Sequence, residues 1–283
     1  MKKYLNRLYQ LLKSAAKDPR VFLRVVNTVP SICSACGFSR AYKDSGRETG
    51  ETVSPAANPL WEYFQNHKVG RGIWKWEHYF DIYHRHLARF VGRKVDVLEI
   101  GIYSGGSLGM WRSYFGEQSH LYGVDIEGAC RAYASDHVTV FIGDQANRAF
   151  WADFREKVEG IDVIIDDGGH DPEQQRITLE EMLPRLRSGG VYLCEDVHGR
   201  FHKFAAYATG LVNELNSMNP APSPFQSAIH SIHFYPFFMV IEKHDVPISR
   251  LSPCKHGTEW QPFYHWLPND PGRKTVPEAT PPP

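Results

Sequence analysis

Residues 95–107 read Val95-Asp96-Val97-Leu98-Glu99-Ile100-Gly101-Ile102-Tyr103-Ser104-Gly105-Gly106-Ser107. A short β-branched run is followed by closely spaced glycines, and a helical pattern continues from there to Phe115. Glycines after a strand let the backbone approach a ligand without Cβ clashes, and the next helix offers free N–H groups. The stretch therefore predicts a strand, a ligand-binding turn and a helix.

The same alternation of short apolar runs and helical patterns continues along the chain. Further strands are predicted at 121–125, 138–143, 161–165, 191–194, 229–235 and 238–243, and helices at 61–86, 150–158, 172–186 and about 200–218. Strands that alternate with helices at this spacing indicate a parallel sheet with helices on both faces. We expect an α/β fold, a doubly wound, Rossmann-like and mostly parallel seven-stranded sheet with an N-terminal helical extension.

Composition excludes several classes of protein. Hydrophobic residues make up 42% and charged residues 23% of the 283 residues, so disorder of the whole chain is excluded. Lys+Arg 32 balance Asp+Glu 32, which argues against a dedicated nucleic-acid binder. No uninterrupted apolar run reaches the roughly 20 residues that span a membrane, so no such span is expected. The odd count of five cysteines indicates a reducing compartment, and a cytoplasmic location is expected.

The chain is predicted to have three parts. Residues 1–58 form a basic helix and a linker, residues 59–245 form the main domain with a helical lid at 59–90, and residues 246–283 form an extension with a disordered tail. Apolar residues at helical spacing within 1–30 leave two interpretations open. One is packing on the main domain or on a second subunit of a homo-oligomer, which the short apolar face favours. The other is peripheral contact with the inner face of an anionic membrane.

One short motif in the N-terminal part resembles a zinc knuckle. Cys33 and Cys36 form a C-x-x-C pair followed by Gly37. A structural zinc site needs four ligands, and the sequence has no second pair at that spacing. We therefore expect two small residues in a loop.

Three strand ends carry residues suited to a nucleoside. Glu99 precedes the first glycine, so it would repel a pyrophosphate and face a cationic or amino-bearing ligand. Asp125 ends the second strand, where it can accept both hydroxyls of a ribose. Asp144 and Gln145 follow the third strand and offer groups that can read an adenine edge. Ligands in such folds collect at this edge of the sheet.

Two neighbouring strand ends gather acids and a histidine. Asp166, Asp167 and His170 follow one strand, and Glu195 and Asp196 follow the next. Unpaired carboxylates in a cleft repel one another, and a divalent cation relieves that repulsion. Carboxylate oxygens suit Mg²⁺ or Ca²⁺. The sequence therefore predicts a site for a divalent cation beside a histidine.

The glycine turn with its strand-end acids resembles the class I S-adenosylmethionine-dependent methyltransferases over about residues 95–195. The resemblance implies a donor site in which Glu99 and the turn hold the methionine part, Asp125 the ribose, and Asp144 and Gln145 the adenine. The turn residues of this implied site are Gly101, Ser104, Gly105 and Ser107.

The acid and histidine motifs narrow the resemblance. Asp-Asp-Gly-x-His followed by Glu-Asp, with the segments 75–80 and 105–108, resembles metal-dependent sugar O-methyltransferases of the macrolide-glycoside and rhamnosyl type over about 74–243. This implies transfer of a methyl group from S-adenosyl-L-methionine to a sugar hydroxyl of a glycan, nucleotide sugar or glycosylated natural product. The roles implied are Mg²⁺ or a similar ion held by Asp167, Glu195 and Asp196, His170 as the general base, and Asp166 beside the methyl donor.

Two departures and two rival functions qualify this interpretation. Gly169 stands where the family usually has serine, and 198–201 replaces a Ser/Thr-Tyr-Trp stretch, so acceptor identity transfers least. The rivals are an NAD-dependent oxidoreductase, disfavoured by Glu99, and a non-catalytic binding module, disfavoured by the intact acid and histidine set. The aromatic residues of 74–84 suit either an acceptor lid or a core face.

Overall fold

The computed structural model describes residues 2–43, 57–198, 203–254 and 256. The chain divides into two compact units, Met1–Pro55 and Ala56–Pro283. Most of the predicted linker and of the predicted disordered tail lies outside the described residues. The boundaries at residues 58 and 245 stay predictions.

The first unit contains two helices where the sequence analysis expected one. Helix α1 spans Lys2–Lys17 and helix α2 spans Pro19–Ala41. Between them Asp18 leaves helical geometry, and its side chain accepts a hydrogen bond of 3.0 Å from the backbone N–H of Val21. This is an N-cap followed by proline at the first helical position, a combination that starts a new helix.

One expectation for this unit is wrong, and one helix of the unit is a candidate membrane span that the sequence did not predict. Cys33 and Cys36 lie within α2 and not in a loop, and both are exposed. In addition, α2 is long and apolar enough to cross a membrane by length and composition, with a mean hydropathy of 1.4 over its best window. Arg24 and Asn27 interrupt the apolar run of α2, so the run was not recognised in the sequence. They do not lower the mean hydropathy of the helix below that of a candidate span.

The second unit is built on one sheet. Among the described residues the sheet has seven strands in the order β3-β2-β1-β4-β5-β7-β6, of which β6 and β7 are antiparallel to their neighbours and the others are parallel. The strands are β1 (Val95–Ile100), β2 (Ser119–Asp125), β3 (Val138–Ile142), β4 (Ile161–Asp166), β5 (Leu186–Cys194), β6 (Ile229–Tyr235) and β7 (Phe238–Lys243). The expected fold class is confirmed.

Helices cover both faces of this sheet. They are α3 (Pro59–Asn66), α4 (Tyr79–Leu87), α5 (Gly106–Phe115), α6 (Arg148–Lys157), α7 (Pro172–Met182), α8 (Lys203–Leu215) and α9 (Pro224–Ala228). Side chains that alternate along a strand enter different cores: Val97 packs with the core around Trp111, and Leu98 packs with the core around Trp151. Strands buried on both faces read as continuous apolar runs, which is why the sequence revealed them.

Some boundaries differ from the predictions. Residues 67–78, predicted as part of one helix, form an irregular connection between α3 and α4. The predicted helix 172–186 ends at Met182, and β5 begins at Leu186, five residues before the predicted strand. Gly189 and Gly190 lie inside β5, and glycine pairs are a turn signal in sequence, so the strand start was missed.

The strand register places the ends of four parallel strands at one level. Ile100 of β1 pairs with Val124 of β2 and with Asp166 of β4, and Asp166 pairs in turn with Cys194 of β5. The residues that follow these partners therefore emerge side by side at the same edge of the sheet. This alignment builds the site described next.

Candidate functional site

A large pocket opens at the carboxyl ends of the parallel strands. Its cavity volume is about 1060 Å³, which reaches the upper range for small-molecule sites and provides room for two ligands side by side. The loops after β1 to β5 line it, together with residues 72–78. The position agrees with the rule that ligands of open α/β sheets bind at this edge.

The turn after β1 is held by glycine geometry. Gly101 has φ +83°, and a Cβ there would overlap the backbone carbonyl of Asp167. Gly105 has φ +74°, and a Cβ there would press on the ring of Tyr133. The turn can therefore lie against β4 only with glycine at these positions. Ser104 lines the pocket from the same turn.

Glu99 lies deeper than a direct ligand contact requires. Its side chain is 1% exposed. Its oxygens accept hydrogen bonds from Ser107 Oγ at 2.8 Å and from Trp111 Nε1 at 3.0 Å, so it ties β1 to the start of α5. Burial raises the pKa of this carboxyl. Its predicted contact with the methionine part of a donor stays a prediction, whereas Ser107 also lines the pocket.

The two predicted nucleoside contacts lie in the pocket wall. Asp125 accepts backbone N–H bonds of 2.9 Å from Tyr103 and from Glu127, which fixes the orientation of its carboxylate. Asp144 accepts a hydrogen bond of 2.8 Å from the backbone N–H of Ala146. Both residues line the pocket on the side of β2 and β3. Each carboxylate oxygen keeps a lone pair for a further donor.

Gln145 uses its amide on the protein itself. Its Nε2 donates to Asp166 Oδ1 at 3.0 Å and to Thr178 Oγ1 at 3.1 Å, and its Oε1 accepts from the N–H of Gly169 at 2.7 Å. Although Gln145 is among the residues that line the pocket, its bonds hold the loop after β4 in place. Its predicted adenine contact stays a prediction.

Asp166 is buried beneath that loop. It is 1% exposed, and its Oδ2 accepts a hydrogen bond of 3.0 Å from Tyr192 Oη. Burial raises the pKa of Asp166 to about 6. The next residue, Asp167, lines the pocket. The predicted position of Asp166 beside the methyl donor stays a prediction, and its hydrogen bonds support a positioning role.

Asp167, His170 and Asp196 meet at the pocket floor. His170 Nε2 lies 3.4 Å from Asp196 Oδ2 and 3.9 Å from Asp167 Oδ1. Oxygen and nitrogen atoms from all three lie within 4.8 Å of one another. The buried Nδ1 of His170 has no hydrogen-bond partner among the described residues. Such an unpaired buried nitrogen is unusual in a folded protein and requires an explanation.

Strained backbone marks the same floor. His170 has φ +56° and Asp196 has φ +53°, the left-handed region that residues with a Cβ rarely adopt. Tyr103, which also lines the pocket, has φ +41°. Such conformations each cost about 1–3 kcal/mol and tend to cluster at functional sites. The strain supports a functional role for the loops after β4 and β5.

Contrary to the expectation from the sequence, the acids of the site have a cationic partner within the protein. Lys75 Nζ lies 2.5 Å from Asp167 Oδ2, 2.9 Å from Glu195 Oε1 and 3.9 Å from Glu99 Oε1, and its side chain is only 3% exposed. Burial alone would lower the pKa of Lys75, but the carboxylates around it raise it, so the ammonium stays charged. The sequence analysis treated these carboxylates as unpaired in the absence of a divalent cation, and for Asp167 and Glu195 this is wrong.

Glu195 is turned toward this lysine. It is 1% exposed, and its Oε1 also accepts a hydrogen bond of 2.6 Å from Tyr83 Oη. Asp196 has different partners, since its Oδ1 accepts hydrogen bonds of 2.9 Å from Trp76 Nε1 and of 3.1 Å from Tyr79 Oη. Of the three predicted metal ligands, Asp167 and Asp196 therefore face the cluster with His170, whereas Glu195 faces Lys75.

Sequence reasoning did not assign Lys75 or Tyr83 to the site, and it left Tyr79 open between an acceptor lid and a core face. The segment that contains Lys75 was recognised as a resemblance, but it was predicted to be helical. In the structure Lys75 and Trp76 precede α4, and the two tyrosines project from α4 into the core. The two interpretations of residues 74–84, an acceptor lid or a core face, therefore apply to different residues. Trp74 and Trp76 are exposed at the pocket, whereas Tyr79 belongs to the core.

The role of Lys75 can be tested by Lys75→Met, which keeps most of the side-chain volume without the charge. We expect the free energy of unfolding to fall by about 3–5 kcal/mol, because Asp167 and Glu195 lose their cation inside the protein. Urea unfolding at pH 7.5 in chelator measures this effect. We also expect added Mg²⁺ to raise the melting temperature of the variant more than that of the wild type.

The matched control is Lys243→Met, since Lys243 is half-buried and donates 2.6 Å to the carbonyl of Leu186. The control should lose less stability and keep the wild-type response to Mg²⁺. If Lys75→Met were as stable as the wild type, the ion pairs would contribute little, and the described role of Lys75 would be wrong.

Comparison with known proteins identifies the sheet and its loops. The sequence model of a methyltransferase domain matches residues 98–197, which run from β1 through the acidic loop after β5. The chain carries a methyltransferase domain. The matched range contains the glycine turn, both nucleoside-side acids and the floor cluster, so the methyltransferase domain and the pocket coincide.

Several curated relatives resemble the chain. Demethylmacrocin O-methyltransferase of Streptomyces fradiae is 28% identical over 207 residues, which cover 68% of this chain and 51% of that protein. The 8-demethyl-8-alpha-L-rhamnosyl tetracenomycin-C 2'-O-methyltransferase of Streptomyces olivaceus is 30% identical over 62% of this chain and 52% of its own length. The chain spans about half the length of these relatives.

Solved structures share the fold of the methyltransferase domain. The MycE methyltransferase of the mycinamycin pathway, in complex with Mg, SAH and mycinamycin VI, superposes with a TM-score of 0.56 at 24% identity. The match covers 66% of this chain and 53% of that protein. A second crystal form of MycE with Mg and SAH gives a TM-score of 0.54 at 25% identity over the same shares.

The residues present fit a divalent cation in part. Asp167 and Asp196 supply the hard oxygen donors that Mg²⁺ prefers, next to a histidine whose Nδ1 is unpaired among the described residues. Glu195 is committed to Lys75 and Tyr83 in this structure. Asp167 and Asp196 are therefore suited to hold an ion, although Asp167, like Glu195, also pairs with Lys75.

Proposed function

We propose that the chain is an S-adenosyl-L-methionine-dependent, Mg²⁺-assisted O-methyltransferase that acts on a sugar hydroxyl. The observation that carries the proposal is the position of His170 beside Asp167 and Asp196, in the pocket whose other wall holds the glycine turn and Asp125. The named activities of the curated relatives support the same reaction class. The acceptor proposed is a glycan, a nucleotide sugar or a glycosylated natural product.

The chain's own residues have separable tasks in this reaction. The glycine turn and Asp125 bind the methyl donor, whose sulfonium makes its methyl group electrophilic. Asp167 and Asp196 would hold the ion, which when bound would lower the pKa of an acceptor hydroxyl. His170 accepts the proton of that hydroxyl through Nε2, the nitrogen that faces the two carboxylates. Trp74 and Trp76 offer aromatic faces to the acceptor at the pocket mouth.

The proposal extends to partners and location. The acceptor contains a sugar, the protein does not act on nucleic acid, and it works in the cytoplasm, with residues 1–30 in peripheral contact with the inner face of the membrane. A homo-oligomeric state is the other proposed use of that segment. The balanced charge of the chain supports the point on nucleic acid, and its five cysteines without a paired framework support the cytoplasmic location.

Calorimetry and a transfer assay test the proposed function together. The full chain should bind S-adenosylhomocysteine and not NAD, and it should transfer labelled methyl from S-adenosyl-L-methionine to members of a panel of rhamnosides, nucleotide sugars and glycosylated polyketides. Transfer should cease in chelator and return with Mg²⁺. Binding of NAD in place of S-adenosylhomocysteine would favour the oxidoreductase, and absence of donor binding would favour a non-catalytic module.

A further inference from the structure

The first unit has a one-sided charge. Among residues 2–43 there is one acid, Asp18, against nine basic residues. The basic residues are Lys2, Lys3, Arg7, Lys13, Lys17, Arg20, Arg24, Arg40 and Lys43. The chain as a whole is neutral, so this excess of positive charge is concentrated in the N-terminal segment.

Helix α1 combines this charge with apolar residues. Tyr9, Leu11 and Leu12 are each more than half exposed. Lys13 and Lys17 lie on the same helix, in its second half. A basic helix that exposes large apolar side chains is the pattern of a segment that lies in the headgroup region of a bilayer.

Helix α2 is apolar along most of its length and buries none of its residues. Its 23 residues span about 34 Å, which matches the roughly 30 Å hydrocarbon core of a bilayer. Its exposed large apolar residues are Val21, Leu23, Val25, Val26, Val29, Ile32 and Phe38. Contiguous exposed apolar surface of this extent marks an interaction site.

One polar side chain of α2 is satisfied within the helix. Thr28 Oγ1 donates 2.7 Å to the carbonyl of Val25, so its hydroxyl is satisfied within the helix, as hydrocarbon surroundings require. Arg20 and Arg24 lie near the start of α2 and Arg40 near its end. Long basic side chains at helix ends can extend to the interface while the stem stays in the apolar layer.

We propose that residues 2–43 are a membrane anchor for an anionic bilayer, in which α2 lies in the hydrocarbon region and α1 lies along the headgroups. The positive excess selects anionic lipid, and the exposed apolar length of α2 supplies the insertion energy. The proposal goes beyond peripheral contact of residues 1–30, because it places the later helix inside the lipid.

Flotation of the full chain with vesicles tests the anchor. Vesicles of three parts phosphatidylcholine to one part phosphatidylglycerol should carry the protein upward in a density gradient, and a wash with alkaline carbonate should not release it. Ile32→Glu places a charge in the middle of α2 and should lower binding by about tenfold or more. The matched control Val246→Glu changes an exposed residue of the second unit and should bind as the wild type does.

A charge reversal separates the roles of the two helices. Lys13→Glu with Lys17→Glu should weaken binding to the anionic vesicles and leave the weaker binding to pure phosphatidylcholine vesicles unchanged. Failure of the wild type to float with the anionic vesicles would overturn the proposal. So would a stable dimer in solution that Ile32→Glu dissociates, since α2 would then be covered by a second copy.

Vesicle binding does not depend on methyl transfer, so the anchor and the proposed function can fail separately. Binding of S-adenosylhomocysteine by Ile32→Glu, measured in the same preparation, shows that the methyltransferase domain is intact. A variant that still binds S-adenosylhomocysteine and has lost vesicle binding supports the anchor. A variant that keeps both bindings refutes the insertion of α2.

Discussion

Replacing His170 by alanine should lower kcat by about 10²–10⁴-fold, the usual effect of losing a general base. His170 Nε2 lies within 4 Å of both Asp167 and Asp196, so it is placed to take a proton from a hydroxyl held there. The contacts that motivate its role are with Asp167 and Asp196, so we expect the affinity for S-adenosylhomocysteine to stay within about twofold. Steady-state kinetics and calorimetry on the same preparations measure both quantities.

A second substitution removes the ambiguity of the strained backbone. Because His170 has φ +56°, alanine there carries some conformational cost, whereas asparagine adopts this region more readily. His170→Asn should therefore be as inactive as His170→Ala and more stable. The exposed His137→Ala serves as the control and should keep full turnover. Full activity in either His170 variant would refute its role as base.

Replacing Asp167 by asparagine should abolish the dependence on a divalent cation together with most of the turnover. Loss of outer partners of metal ligands already weakens affinity by about 10–100-fold, and loss of a direct ligand should weaken it at least as much. The measurement is the shift in melting temperature with rising Mg²⁺, which the wild type should show and Asp167→Asn should lack. Asp196→Asn should behave in the same way.

The contact of Asp167 with Lys75 makes it possible to separate a role in stability from a role in metal binding. Asp167 accepts a hydrogen bond from Lys75, so Asp167→Asn should also lower stability in chelator. If the variant lost stability but kept the response to Mg²⁺, Asp167 would be only a partner of the lysine. The exposed Asp136→Asn is the control and should match the wild type in both measurements. Turnover unaffected by chelator would argue against any metal.

The ammonium of Lys75 offsets the negative charge of the carboxylates around it. Without it, Glu99, Asp167 and Glu195 would place three carboxylates around one buried space, at a high desolvation cost. With it, the carboxylates of Asp167 and Glu195 are paired, and a dication at these residues would have to compete with an internal cation. We therefore expect residue 75, as well as the acids, to affect the affinity for Mg²⁺.

The sequence alone determined the sheet and the edge at which the pocket lies. Strands buried on both faces must be continuous apolar runs, and glycines or acids directly after those runs must emerge at the carboxyl edge. Glu99, Gly101, Asp125, Asp167 and Asp196 could thus be placed at strand ends by reading along the chain. Local periodicity and turn chemistry carry that information.

The tertiary structure alone decided which of these side chains face one another. Lys75 is 92 residues from Asp167 and 120 from Glu195, and no local pattern encodes a contact at such separation. The inward or outward direction of adjacent acids, as for Asp166 and Asp167, depends on the packing of neighbouring strands and helices. Side-chain pairing across the sheet edge is a property of the folded core, so it became visible only when strands, loops and α4 were assembled.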